Sequence, residues 1–347
     1  MALLRYTCRV LNRSAQVAAL LFAMTGLARA EEHRTETASI GIALDGYDYP
    51  FEVNYLPLEI EGQTVRMAYM DVAPAQSANG KTVILFHGKN FSSDYWSTTI
   101  KALTAAGYRV IAPDQIGFGK SSKPEIHYSF DLLARNTSKL LDALGVHQVF
   151  VVGNSMGGML AVRFSRLNAD RVEKLVLENP IGLEDYRLSI PPQTTEDLLK
   201  QEIAQTPESY LKFIKSYFPV WHPEFARYAE TYSRVQLSGE YPRYAKASVL
   251  TYQMIYEQPV CYELPYLTMP TLLIIGQLDH TVLGRRFAPP EKIKALGNFS
   301  ALGKAVAKQI PHATLSEFEG VGHVPHLESP ERFDTELIKF FRGTSKD

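Results

Sequence analysis

The spacing of apolar positions changes along the chain. "YPFEVNYLPLEIEG" and "TVRMAYMDVA" alternate apolar and polar residues on either side of Gly62, which predicts an antiparallel hairpin of half-buried strands. Short continuous runs follow: "KTVILFHG", "YRVIAPD", "HQVFVVGNS", "RVEKLVLENP" and "PTLLIIGQLD". Each is rich in β-branched residues and ends near Gly, Asp, Asn or Pro. "ATLSEFEGVGH" is a more polar last run. Helical spacing fills the intervals at 92–106, 130–144, 156–168, 302–309 and 330–341. Strands apolar on both faces and separated by helices predict an α/β fold, a mostly parallel, doubly wound sheet with helices on both sides.

Residues 181–265 interrupt this rhythm. Aromatics recur three or four apart, as in Tyr210, Phe213 and Tyr217 or Trp221, Phe225, Tyr228 and Tyr232. That spacing belongs to amphipathic helices and predicts an inserted helical cap. Most of its aromatics should join cap to core, and a few should line a pocket. The core then comprises residues 31–180 and 266–347. Residues 31 to about 45 are polar and expected to be loose.

The N-terminus has its own order. Arg5, Arg9 and Arg13 precede a 15-residue apolar stretch, and Ala28-Arg29-Ala30 precedes Glu31. A basic start, an apolar centre and a small-residue end predict a signal peptide over 1–30, cleaved after Ala30. An uncleaved anchor is the alternative, but the stretch falls short of the roughly 18 residues a span requires. Removal takes four arginines and no acid, leaving 32 basic and 37 acidic residues and a formal charge of -5 in place of -1. It also removes Cys8, so Cys261 has no partner for an internal disulfide. A periplasmic or secreted protein that relies on its core is expected. No basic stripe or acidic tail points to nucleic acid. The histidines are dispersed and no cysteine pair offers a metal site. Oligomeric state is left open.

The candidate chemistry lies at strand ends. Gly153-Asn154-Ser155-Met156-Gly157 fits G-x-S-x-G between a strand-like and a helix-like run, the setting that exposes a nucleophilic serine above a sheet. A serine hydroxyl needs a base, and the base needs an orienting acid. His323, after the last strand run, and Asp279, at the end of "LLIIGQLD", follow in the required order. His326, three residues beyond the base and placed to touch the cap, and Glu178, at another strand end, are the competitors. His280 shapes the mouth or faces away, and His127, His147, His222 and His312 are expected at the surface. Oxyanion donors should be the backbone N–H of Met156 and of Lys89, with Asn90 as the fallback. His87 and Gly88 are expected to shape that loop, while the Lys89 side chain is either solvated or attracts an acidic substrate group. "DQIGFGKSS" lacks the spacing of a phosphate loop and reads as a structural turn.

Together, "HGKN", "DQIGFGKSS", "GNSMGG", "GQLD" and "GVGHVPHLESPERF" resemble the α/β-hydrolase superfamily over about residues 65–341. The resemblance implies an α/β-hydrolase fold with the cap after Pro180, a Ser155–His323–Asp279 triad, no cofactor and two-step hydrolysis of a small-molecule substrate. "GNSMGG" is similar to the elbow of meta-cleavage-product hydrolases. However, "HGKNFSS" replaces their Gly/Pro-rich loop, and Val324 stands where they often carry tryptophan. Epoxide hydrolases and haloalkane dehalogenases need a carboxylate where this chain has Ser155, and proline iminopeptidases usually carry tryptophan where it has Met156. The leading expectation is an exported serine hydrolase of a carboxylic ester or lactone. Carbon–carbon hydrolysis and a non-catalytic receptor on the same fold are the alternatives.

Overall fold

The computed structural model describes residues 38–343; the expected signal peptide lies outside them. Eight strands form one sheet in the order β1-β2-β4-β3-β5-β6-β7-β8. They are β1 (Val53–Ile60), β2 (Gln63–Val72), β3 (Thr82–Phe86), β4 (Arg109–Pro113), β5 (Val149–Asn154), β6 (Val172–Glu178), β7 (Thr271–Gly276) and β8 (Ala313–Phe318). β1 and β2 form the expected hairpin, with Leu58 opposite Val65. β2 is antiparallel to β4, and all strands from β3 onward run parallel.

Strand side chains alternate between two cores, as the period of two requires. Val149 and Val151 of β5 face one core, Phe150 and Val152 the other. β7 does the same with Leu273 and Ile275 against Leu272 and Ile274. Helices α2 (Phe130–Ala143), α3 (Met156–Leu167) and α8 (Phe299–Ala307) cover the first face. Helices α1 (Ser97–Ala105) and α10 (Pro330–Arg342) cover the second. Fully burying each such Val or Leu stabilises the fold by about 1.5–3 kcal/mol, so strands apolar on both faces are fixed in register from both sides. α8 begins at Phe299 rather than at 302, because the Asn298 side chain accepts from the Ala301 amide and caps it there.

Between β6 and β7 the chain forms α4 (Thr195–Ile203), α5 (Pro207–Lys215), α6 (Ala226–Gln236) and α7 (Tyr241–Glu257). Thr206 and Ser209 close a capping box at the start of α5, with Pro207 in its first turn. The Tyr210 and Tyr232 rings stack at 3.7 Å and join α5 to α6.

Residues 38–45 are not loose. Ile40, Ile42 and Leu44 are buried against Val235, Tyr241 and Ala245 of the insert. Tyr47 and Tyr49 then donate to Asp94 and Asp114 of the core. Three alternating apolar residues within a polar stretch were enough to seat it as a strap joining insert and core.

Candidate active site

The tip of β5 places Ser155 at φ 57°, ψ -120°, a backbone that costs a non-glycine residue of order 1–3 kcal/mol. Neighbouring bonds hold it there. The Ser155 amide donates to the Glu178 carbonyl, and the Ser155 carbonyl accepts from Gly158 and Ile181. The turn also needs its glycines: a Cβ on Gly157 would overlap the Phe86 carbonyl, and one on Gly153 the Gly157 carbonyl. Strand β3 and helix α3 therefore approach more closely than side chains would permit, and the Ser155 hydroxyl is carried to the carboxyl edge of the sheet.

His323 reaches that hydroxyl from the loop after β8, with Nε2 2.9 Å from Ser155 Oγ. Its Nδ1 lies 2.7 Å from Asp279 Oδ2, beyond the end of β7. Asp279 also accepts from Asn179 Nδ2 at 2.7 Å and from the Thr281 amide at 2.8 Å. Burial opposes its charged form, but the His323 charge and the bonds from His323 and Thr281 outweigh that and hold the carboxyl below the usual carboxylate range. The expected trio is thus brought together in a nucleophile–base–acid arrangement able to deprotonate a serine as it attacks.

The loop after β3 passes beside Ser155, so close that a Cβ on Gly88 would touch the Ser155 side chain. Among the described residues neither the Lys89 nor the Met156 amide has a protein acceptor, which leaves both free for an oxyanion. The Lys89 side chain turns into the insert. Its ammonium donates to the Ser248 carbonyl, the Ser248 hydroxyl and the Thr251 hydroxyl, and burial draws its pKa down to about 8. Asn90 donates to the Tyr217 hydroxyl at 2.7 Å.

The competitors are spent elsewhere. Glu178 pairs with His326, not His323, both oxygens lying 2.9 Å from Nδ1. His326 is buried in the short helix α9 (Pro325–Glu328), where its ring stacks on Trp96 at 3.9 Å and faces Phe333 of α10. His280 is exposed at the cleft and His127, His147, His222 and His312 are exposed. His87 is buried, its Nε2 accepting from the Gln115 amide, and shapes the loop before Gly88. In "DQIGFGKSS", Asp114 binds the Ser93 and Lys120 amides, a structural turn.

Several supporting residues were not foreseen. Asn154 donates to the His323 carbonyl and accepts from Tyr95, whose hydroxyl also takes the Gly88 amide, so one buried chain ties the loop after β3 to the histidine loop. Glu328 accepts from the amides of Gly322 and Val324 on either side of His323. Burial pushes its carboxyl up to about 7. Tyr217 accepts the His323 amide on its carbonyl and lays its ring 4.7 Å from the imidazole. Asn154 and Glu328 had a signal, since both lie inside quoted motifs, and Tyr217 had only the aromatic spacing of the insert.

A cleft of about 730 Å³ opens over Ser155, walled by tyrosines of the insert, among them Tyr210, Tyr217, Tyr232, Tyr244 and Tyr252. Residues 81–330 match the family described as the alpha/beta hydrolase fold, well over half of the chain. The chain belongs to the α/β-hydrolase fold family. This hydrolase is similar to a probable hydrolytic enzyme from Pseudomonas aeruginosa, with 45% identity, a TM-score of 0.87 and coverage of 89% of this chain and 100% of that one. It is 28% identical over 298 residues to a 2-hydroxy-6-oxononadienedioate/2-hydroxy-6-oxononatrienedioate hydrolase from Burkholderia vietnamiensis, covering 83% of this chain and 95% of that protein. An esterase from Exiguobacterium antarcticum shares the fold at 21% identity, with a TM-score of 0.64 over 83% of this chain and 99% of its own. Among the described residues of the hydrolase, no helix is long and apolar enough to cross a membrane and no cluster of metal-ligating side chains occurs.

Proposed function

We propose that the protein is an exported serine hydrolase that cleaves a carboxylic ester or lactone through an acyl-enzyme on Ser155. The observation that carries this reading is the continuous contact from Ser155 Oγ through His323 to Asp279, at 2.9 Å and 2.7 Å. Ser155 Oγ attacks the carbonyl carbon as His323 Nε2 takes its proton. The amides of Met156 and Lys89 hold the oxyanion, and Asp279 stabilises the imidazolium. Collapse expels the alkoxide, which leaves with the proton from His323. Water then gives its proton to His323, attacks the acyl carbon and regenerates Ser155 while the acid departs. Residues 181–265 serve as the cap, whose tyrosine wall suits a small or medium, partly apolar substrate.

Turnover across p-nitrophenyl esters, lactones, amides and diketones, with Ser155→Ala as control, tests this reading. Ester or lactone cleavage lost in the variant supports it, and equal activity in the variant sinks it. The similarity to an oxononadienedioate hydrolase favours carbon–carbon cleavage as a second reading, for which a coloured dienoic diketone should bleach faster than any ester is cleaved. Export rests on the basic–apolar–small order of residues 1–30, and N-terminal sequencing of the secreted or periplasmic protein should begin at Glu31.

A further inference from the structure

The cleft carries charge that the chemistry at Ser155 does not use. Lys89, Arg285 and Arg286 line it with Ser155, and Glu202 is its one carboxylate among the described residues. Three cations against one acid leave the wall formally +2, in a chain whose overall formal charge is -1. None of the three takes part in an ion pair among the described residues.

Each cation is held instead by neutral groups. Lys89 spends its three protons on the Ser248 carbonyl and on the hydroxyls of Ser248 and Thr251. Arg285 donates to the carbonyls of His280 and Ile293. Arg286 lies over the Phe287 ring at 4.8 Å. The nearby acids are engaged: Glu202 accepts from Tyr232, and Glu184, whose carboxyl feels Arg285, accepts from the Gly297 amide. Lys89 and Arg285 are partly buried and held by dipoles alone, so they lose hydration without a full Coulombic return, while Arg286 is exposed at the rim. A bound anion would restore it.

The same wall offers an unused donor. Ser248, Tyr252 and Ile255 recur on the cleft face of α7, and the buried Tyr252 hydroxyl has no partner. That hydroxyl packs against Gly284, two residues before Arg286, so closely that a Cβ there would overlap it. A neutral hydroxyl beside a guanidinium matches the two oxygens of a carboxylate, and Lys89 anchors one turn away on the same helix.

We infer that the cleft selects substrates bearing a carboxylate remote from the scissile carbonyl, held along α7 by Arg286 and the Tyr252 hydroxyl within the field of the Lys89 ammonium. The inference rests on the ester-hydrolase reading of Ser155, and its test separates the two. The p-nitrophenyl monoester of glutaric acid, with its free carboxylate, is compared with p-nitrophenyl methyl glutarate, its neutral counterpart. Wild type should favour the free acid at least tenfold in kcat/KM, mainly through KM. Lys89→Met and Arg286→Met should each shrink that ratio at least threefold, whereas mere structural damage would lower both substrates alike and leave the ratio standing. A ratio near one in wild type, or one that neither substitution moves, overturns the anion site while leaving ester hydrolysis intact. Calorimetry on Ser155→Ala protein with monomethyl and dimethyl glutarate gives a readout free of turnover. Preferential binding of the monoanion, lost on adding Arg286→Met, supports the site even if no ester is cleaved; equal binding of the two overturns it.

Discussion

Asn179 and His323 converge on one oxygen of Asp279: the nitrogen of each lies 2.7 Å from Oδ2. Asn179 also accepts the Gly276 amide on its own side-chain oxygen, at 2.9 Å. It therefore fixes the Asp279 carboxylate to the ends of both β6 and β7, and its φ of 36° is one that asparagine tolerates better than most residues. Asn179→Ala should leave a buried amide unpaired at a cost of about 1–3 kcal/mol. It should also lower kcat by about ten- to a hundredfold through misplacement of the acid. Thermal unfolding and steady-state kinetics on the same preparation check both, and an unaltered kcat would remove Asn179 from the positioning role.

Glu178 and His326 form a second buried carboxylate–imidazole pair that touches no reacting atom. His326→Leu leaves the Glu178 side chain with the His326 amide alone, so stability should fall by about 3 kcal/mol. Because Ser155 and His323 are untouched, the folded fraction should retain most of its turnover. Denaturant unfolding paired with active-site titration measures this, and loss of chemistry without loss of stability would contradict it.

Gly157→Ala drives a Cβ into the Phe86 carbonyl at the crossing of β3 and α3. A clash against backbone has no side chain to absorb it, and a loss of about 3 kcal/mol or of soluble protein is expected. Gly239→Ala, where the added Cβ meets open space, should stay within about 0.5 kcal/mol of wild type.

The Lys89 ammonium gives the anion preference a pH dependence. Burial lowers its pKa to about 8, partly offset by Glu202 from α4, while Ser248 and Thr251 contribute only neutral dipoles from α7. A lysine with a lowered pKa is charged below that value and neutral above it. Preference for the carboxylate-bearing ester should therefore be full near pH 6 and fall as pH rises through about 8. A residue should persist, because Arg286 remains charged. The kcat/KM ratio measured from pH 6 to pH 9.5 reads this directly, and a flat ratio would show that Lys89 does not sense the substrate.

The central strands were legible in the sequence because they are apolar on both faces and stop at or near Gly or Asn: Gly88 after β3, Asn154 in β5, Gly276 in β7; β1 and β2 were legible from their alternation. The Ser155, Asp279 and His323 positions followed from those ends. What escaped were contacts made by residues distant in sequence and ordinary in type. Nothing in "LENP" announces that Asn179 will reach Asp279, 100 positions away. His326 competed for the role of base, but its ring packs on Trp96. The strap at Ile40, Ile42 and Leu44 was hidden by surrounding polar residues, and its partners lie in the insert, whose aromatic spacing encodes helices but not their arrangement.

The central claim is a covalent acyl group on Ser155, and intact-mass analysis of protein quenched during turnover of a p-nitrophenyl ester tests it most directly. A single adduct of the acyl mass is expected, mapped by peptide sequencing to Ser155 and absent from Ser155→Ala. That variant should also lose at least about a thousandfold in kcat. Turnover in Ser155→Ala at the wild-type rate, or an adduct mapping to any other residue, would contradict the account.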